Sequence, residues 1–188
     1  KLHCYYCTLL EWNTKINLVS RKSIENSWQR HFLDSSQLWL YAPQNAKTWL
    51  DFGSGGGFPG LVISIIAQEL NPQLKVILVE KNKKKAFFLE QIGLKLSLNV
   101  RILCGKIENI KPQKADIISA RAFGSLKHLI EIAYMHKNGR TISLFPKGKT
   151  FSVEIKESLT YWKFEIREIT NLLAVDSSIL EIRNIKVA

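Results

Sequence analysis

Apolar residues change their spacing once along this chain, close to residue 46. Before that point Leu9, Leu10 and Ile16, then Trp28, Phe32 and Trp39, recur at roughly helical intervals. Residues 1–45 are therefore expected to form a helical cap, closed by Pro43 and Asn45. From Lys47 onward, short apolar runs alternate with amphipathic ones. "TWLDFG", "LKVILVE" (Leu74 to Glu80), "NVRILCG", "ADIISAR" (Ala115 to Arg121) and "GRTISLF" read as five strands. Between them, Phe58 to Leu70, Asn82 to Leu96 and Leu126 to Met135 read as helices, with Pro59 in the first-turn position that tolerates proline. A short helix near Val153 to Leu159 precedes "KFEIREI" and "ILEIRNI", whose alternation suits an antiparallel pair at a sheet edge.

Strands alternating with helices mean a mostly parallel sheet of about seven strands, covered by helices on both faces. Residues 46–188 are expected to form this core, in one compact unit with the cap. In such sheets ligands bind beyond the carboxyl ends of the strands, at the point where strand order reverses. A chain of 188 residues with 46% hydrophobic residues can bury a sizeable core, which excludes wholesale disorder. Its best apolar run, "LVISIIA", is too short to span a bilayer, and no secretory signal pattern opens the sequence. The sequence starts on Lys1 rather than Met, so a preceding segment is expected. Three cysteines argue against a disulfide framework and for a reducing, cytoplasmic setting. "CYYC" (Cys4, Cys7) stands without a second pair or a histidine at ligand spacing, so it reads as a helix face and no metal site is expected.

Charge adds a partner class. The net charge is +11, and the stretch from Lys75 to Lys114 holds ten basic and three acidic residues, a balance of +7. Its centre is "EKNKKK", Glu80 to Lys85. Such a field steers in a polyanion, although a lysine-rich surface kept for solubility has the same composition.

The chemistry concentrates in "LDFGSGGGFPGL", Leu50 to Leu61, where two glycine patterns overlap. Gly55, Gly57 and Gly60 match the dinucleotide spacing G-x-G-x-x-G. A pyrophosphate needs bare amides at the helix start, and Pro59 removes one, while Asp51 places a carboxylate near the phosphates. The pattern beginning at Asp51 and running through Gly53, Gly55 and Gly57 suits a cofactor that carries an ammonium group and no phosphate, such as S-adenosylmethionine. Glu80 ends the second strand, placed to accept hydrogen bonds from ribose hydroxyls, a device that dehydrogenases share. After the third strand, Ile107 is placed to pack on an adenine, and Glu108 or its neighbouring amides to meet the adenine edge. Glu80 also reads as a strand-end acid beside lysines, and Glu108 as a helix-start residue.

"EWNTKINLVS" (Glu11 to Ser20), "RHFLDS" (Arg30 to Ser35), "LDFGSGGGFPG" and "ARAF" (Ala120 to Phe123) occur in the order seen in the RsmG family, also called GidB, and the chain resembles that family over nearly its whole length. The resemblance implies a Rossmann-like, S-adenosylmethionine-dependent methyltransferase acting on guanine N7 in the 530 loop of 16S rRNA. The partner implied is 16S rRNA or the small ribosomal subunit, and a monomer is expected. The family's cofactor contacts fall on Gly53, Phe58, Ile107, Glu108 and Arg121. Ala120 stands where serine is frequent, and Pro146 precedes Lys147 and Gly148 where an aliphatic residue is usual.

Guanine N7 holds a lone pair at neutral pH, so its methylation requires no general base, and none is assigned. His31 and Asp34 share a helix face, with Arg30 one turn from Asp34, and read as a network tying the cap to the core. Arg121 directly follows a strand's carboxyl end, where a guanidinium can reach a cofactor, a phosphate or a base. Lys83, Lys84, Lys147 and Lys149 are candidate RNA contacts, Phe123 is a candidate for approaching a base, and the five tryptophans read as packing. Two other classes compete: an NAD-dependent oxidoreductase using the overlapping glycine pattern, and a non-catalytic RNA-binding protein on the same fold. Neutralising Lys83, Lys84 and Lys85 together should weaken RNA binding and flatten its salt dependence by up to ~0.7–0.9 log units of slope per lost phosphate contact, measured by titration across salt concentrations. An unchanged slope would return the run to solvated surface.

Overall fold

The computed structural model describes residues 1–173 and 176–188. The chain begins with helix α1 (Leu2–Asn13), a short α2 (Arg21–Ile24), a π-helical segment (Trp28–Leu33), α3 (Asp34–Ser36) and a 3-10 turn (Gln37–Tyr41). Strands and helices then alternate: β1 (Thr48–Phe52), α4 (Gly60–Leu70), β2 (Lys75–Glu80), α5 (Lys83–Lys95), β3 (Val100–Cys104), a 3-10 turn (Ile107–Asn109), β4 (Ala115–Ser119), α6 (Leu126–His136) and β5 (Lys137–Lys147). Helix α7 (Phe151–Ser158), β6 (Trp162–Thr170) and β7 (Ser178–Val187) complete the order.

The seven strands lie in the order β3-β2-β1-β4-β5-β7-β6. Strands β1 to β5 pair in parallel, and β7 runs antiparallel to both its neighbours. The chain therefore winds outward from β1 to β3 and returns to lay β4 on the other side of β1, which puts the switch point beside the glycine loop. The expected antiparallel pair is present, with β7 slotted inside β6. Pro146 lies within β5 beyond Leu144, the last β5 residue paired with β4, so its missing N–H breaks no bond to β4.

Alternation along β1 divides the core in two. Trp49 points into a cluster with Leu9, Leu61, Phe88 and Ile117, beneath α1, α4 and α5. Leu50 and Phe52 point the other way, against Leu126, Leu129, Ile130 and Ala133 of α6. Boundaries moved where local chemistry overrode periodicity. The expected helix from Phe58 starts at Gly60, with Pro59 in the capping position, where its missing N–H costs no helical bond. Asn82 stays outside α5 and caps it, its Oδ1 accepting from the Lys84 and Lys85 amides at 3.0 and 3.2 Å. The helical pattern through Ile16 breaks at Thr14, since the Asn13 side chain accepts from the Leu18 and Val19 amides at 2.8 and 2.9 Å. That turn carries Leu18 and Val19 to the glycine loop.

Tyr5, inside "CYYC", joins the helical section to the loop. Its ring stacks on Phe58 at 5.4 Å and meets Phe32 edge-on at 5.1 Å, and its hydroxyl donates to the Gly56 carbonyl. Of the cysteines beside it, Cys4 is half-buried against the core and Cys7 is exposed. Among the described residues no cluster of three or more His, Cys, Asp or Glu side chains forms a metal site, and no helix is long and apolar enough to cross a membrane. Tyr5→Ala should lower unfolding free energy by about 3–5 kcal/mol in urea titrations. Tyr5→Phe, which keeps the ring and loses only the hydrogen bond, should cost about 1 kcal/mol.

Candidate active site

The loop after β1 is held from below by Asp51. Its carboxylate is fully buried on the α4 side of the sheet, where Ser119 Oγ donates to Oδ1 at 2.7 Å and the Gly60 amide to Oδ2 at 3.3 Å. Trp49 Nε1 donates to the same Ser119 Oγ at 2.8 Å. A Cβ on Gly60 would come within 2.1 Å of Leu78 Cδ2 and 2.9 Å of Asp51 Oδ2, so only glycine brings the helix start this close. The expectation that Asp51 faces the ligand's charged groups is therefore corrected. Strand alternation turns it inward, away from the cleft, and its partners are the chain's own hydroxyl and amide.

Apart from Gly56, the loop's remaining N–H groups are also spoken for. Gly53 and Ser54 donate to the Val79 carbonyl, Gly57 and Phe58 to that of Ser54, and Leu61 to that of Gly57. Gly55 donates to Glu80 Oε2 at 2.8 Å. Pro59 has none. A pyrophosphate would find no row of bare amides here, which separates the two glycine readings more sharply than spacing does.

Above the loop lies a cleft of ≈ 890 Å³, at the upper end of the ~300–1,000 Å³ usual for small-molecule sites. It brings together all six predicted cofactor residues: Gly53, Phe58, Glu80, Ile107, Glu108 and Arg121. Glu80 is buried at the end of β2, with Oε1 accepting from the Asn82 amide at 2.8 Å and Oε2 from Gly55, leaving each oxygen a second lone pair. Ile107 is buried among the α6-side residues, and Glu108 is half exposed with its Oε1 3.3 Å from His128 Nε2. Gly53 has φ +68°, and the Phe123 ring lies where its Cβ would be, 2.0 Å from that position. Phe123 in turn stacks on His128 at 5.9 Å. An adenosyl group fits this set: carboxylate acceptors at a strand end, an apolar wall beside it, and a bare glycine floor.

Arg121 closes the far end. Nη1 donates to the Arg30 carbonyl at 2.8 Å and to Asp34 Oδ2 at 3.0 Å, Nη2 meets His31 Nδ1 at 2.6 Å, and the guanidinium lies 5.5 Å from the Phe58 ring centre. Burial and the Arg121 charge push the His31 pKa down to about 4, so its Nδ1 is a neutral acceptor at physiological pH. Asp34 Oδ1 also accepts from Gln37 Nε2 and Asn171 Nδ2, each at 2.9 Å. The network read for His31 and Asp34 thus ties the cap to the core, and His31 lines the cleft as well. Beside Arg121, Ala122 has φ +53°, a left-handed conformation that an alanine rarely adopts.

Arg121, Ala122 and Phe123 also line a second cavity of ≈ 610 Å³, beyond the ends of β4 and β5. Lys147 is nearly buried on its wall, donating to the Gly124 carbonyl at 2.9 Å and pairing with Glu154 at 2.7 Å. Lys149 is exposed and pairs with Asp176 at 2.8 Å. Lys83 and Lys84 are exposed on the first turn of α5, while Lys85 reaches the cleft wall. Sequence reasoning missed Leu18, Val19, His128 and Glu154. The Asn13 turn was the available signal for the first two, whereas His128 and Glu154 depend on how α6 and α7 pack.

This sheet order, cleft and loop define a Rossmann-like fold of S-adenosylmethionine-dependent methyltransferases. A SAM-dependent methyltransferase from Aquifex aeolicus superposes with a TM-score of 0.66 at 13% identity, covering 84% of this chain and 93% of that one. TYW2 from M. jannaschii, solved in complex with AdoMet, gives 0.61 at 12% identity, covering 93% and 80%. The chain belongs to the GidB family, rRNA small subunit methyltransferase G, which matches residues 1–183. Among curated relatives, Ribosomal RNA small subunit methyltransferase G of Cereibacter sphaeroides (strain ATCC 17029 / ATH 2.4.9) is 38% identical over 97% of this chain and 89% of its own length. The protein of that name from Jannaschia sp. (strain CCS1) is 39% identical over 97% and 87%.

Burial raises the Asp51 pKa from 3.8 to about 6, against the opposing pull of Ser119, Ser54, Gly60 and Arg121. A carboxyl whose folded value exceeds its unfolded one binds its proton more tightly in the folded chain. Its contribution to stability is thus largest in acid and falls as pH rises from about 4 through about 6. Between pH 5 and pH 8 the wild type should lose ~1–1.5 kcal/mol more than Asp51→Asn, in paired urea unfolding curves.

Proposed function

We propose that this protein methylates guanine N7 in the 530 loop of 16S rRNA, working as a cytoplasmic monomer on free rRNA or the small ribosomal subunit. The observation that carries the reading is the gathering of Gly53, Phe58, Glu80, Ile107, Glu108 and Arg121 around one cleft whose glycine loop leaves no row of bare amides for a pyrophosphate. S-adenosylmethionine, when bound, supplies an electrophilic methyl group. Glu80 offers acceptors for the ribose hydroxyls, Ile107 an apolar face for the adenine, and Glu108 with its neighbouring amides the adenine edge. Gly53, Phe58 and Arg121 hold the methionine end. Residues 1–45 act as a cap on the 46–188 core, and Arg121 fixes the two parts together at the site.

The acceptor nitrogen needs no proton removed, so the residues' task is to align it, which supplies up to ~7–11 kcal/mol of the barrier. Lys83, Lys84 and Lys85 occupy the first turn of α5, where the helix dipole disfavours cations. Placement against that local preference favours an anionic partner over mere solubility, and Lys85 on the cleft wall brings that charge to the site.

S-adenosylhomocysteine should raise the melting temperature and NAD(H) should not; the reverse would favour the oxidoreductase. Labelled methyl should pass from S-adenosylmethionine to unmodified 16S rRNA, free or in 30S particles, with the product mapping to guanine N7 in the 530 loop. Transfer to neither substrate defeats the reading. Gly53→Val, which drives a side chain into Phe123 at a φ of +68°, should abolish turnover while leaving most of the RNA affinity. Surviving methylation in that variant would place the cofactor elsewhere.

A further inference from the structure

The cofactor cleft spans the ends of β1, β2 and β3, and Arg121 stands at its edge nearest β4. The second cavity begins on the other side of Arg121, Ala122 and Phe123 and continues over β5 to α7. A methyl donor held with its adenosyl end over β2 and β3 has its reactive end at that shared wall. An acceptor base must come from the other side, and this cavity is the space there, roomy enough for one unstacked nucleotide.

Guanine's chemistry then restricts what the cavity must offer. Since N7 is the atom that reacts, the N7 edge cannot be the one that the protein grips. Recognition falls to O6, N1–H and the 2-amino group, which require a donor beside an acceptor. Two carboxylates line the cavity, Asp34 and Glu154. Asp34 is filled by Arg121, Gln37 and Asn171. Glu154 is not: Oε2 takes Lys147 Nζ and, at 2.6 Å, the Leu126 amide, whereas among the described residues Oε1 has only the Thr150 hydroxyl at 3.3 Å. Lys147 likewise spends two of its three N–H donors, on Gly124 and Glu154. A spare acceptor thus lies next to a spare donor on one wall.

We propose that the second cavity receives the target guanine and that Glu154 determines the specificity for it, Oε1 accepting from N1–H while Lys147 donates to O6. This rests on the guanine-N7 reading above. Adenine presents the inverse pattern, a lone pair at N1 and an amino group at C6, and would set like against like at both positions. Lys147 then serves a base rather than a phosphate, in keeping with its burial against Glu154.

The test is methyl transfer to 16S rRNA carrying guanine, inosine or 2,6-diaminopurine at the acceptor position, free and in reconstituted 30S particles. All three retain N7, inosine keeps N1–H and O6, and 2,6-diaminopurine inverts both. Wild type should accept guanine and inosine and disfavour 2,6-diaminopurine in kcat/KM by about tenfold to a hundredfold. In Glu154→Gln, whose amide can turn either its oxygen or its nitrogen to N1, that preference should fall toward unity while S-adenosylhomocysteine still raises the melting temperature. Equal use of guanine and 2,6-diaminopurine by wild type overturns the proposal, as does a folded Glu154→Gln that keeps the full preference. Should that variant not fold, the wild-type comparison decides alone, a preference supporting the proposal and equality overturning it. No transfer to guanine in either substrate form defeats the function itself, and this assignment with it.

Discussion

A buried carboxylate under the glycine loop is the constraint on which the site depends. Asp51 binds the end of β1 to Ser119 on β4 and to the first amide of α4, and Trp49 extends the chain of bonds through the same hydroxyl. A charge this deep is costly unless its lone pairs are met, and its raised pKa records that cost. In return the loop, the switch-point strands and the helix start are held in one arrangement. The same bond takes up the helix-start amide, so the feature that shapes the loop also withdraws it from phosphate binding. What is left facing the cleft is a bare backbone floor and the Glu80 carboxylate.

Arg121 plays the complementary part at the opposite end. Its guanidinium is gripped by a carbonyl, a carboxylate and a neutral imidazole, all from the cap, so the cap does more than shield the sheet. Asp34 passes the constraint on to Asn171, beyond β6, and thereby ties the first and last thirds of the chain to one guanidinium. The cleft and the second cavity share this residue as a wall, which places the N-terminal helical segments and both cavities under one fixed point.

Much of this was legible in the chain. Apolar periodicity located the sheet's strands and the switch point; strand-end positions pointed to Glu80, Ile107, Glu108 and Arg121, the glycine pattern to Gly53, and the family resemblance to Phe58, and all six line one cleft. The sequence misjudged direction rather than position. Asp51 was placed on the right strand, yet whether a strand-end side chain faces ligand or core depends on which partner lies behind it, here a serine 68 residues away. Helix boundaries shifted for local reasons, a proline in the capping position of α4 and asparagine side chains at Asn13 and Asn82 that bond backbone amides.

The position of β7 has a consequence for how the chain is made. It lies between β5 and β6, though it follows both in the chain. During synthesis, therefore, β5 waits with one edge unpaired until β7 has emerged, and β6 has no sheet to join. Asn171 reaches Asp34 only when that hairpin closes. A chain whose β7 has not yet emerged therefore lacks the closed hairpin behind the Asn171–Asp34 bond that backs Arg121, although every residue of the glycine loop is already made.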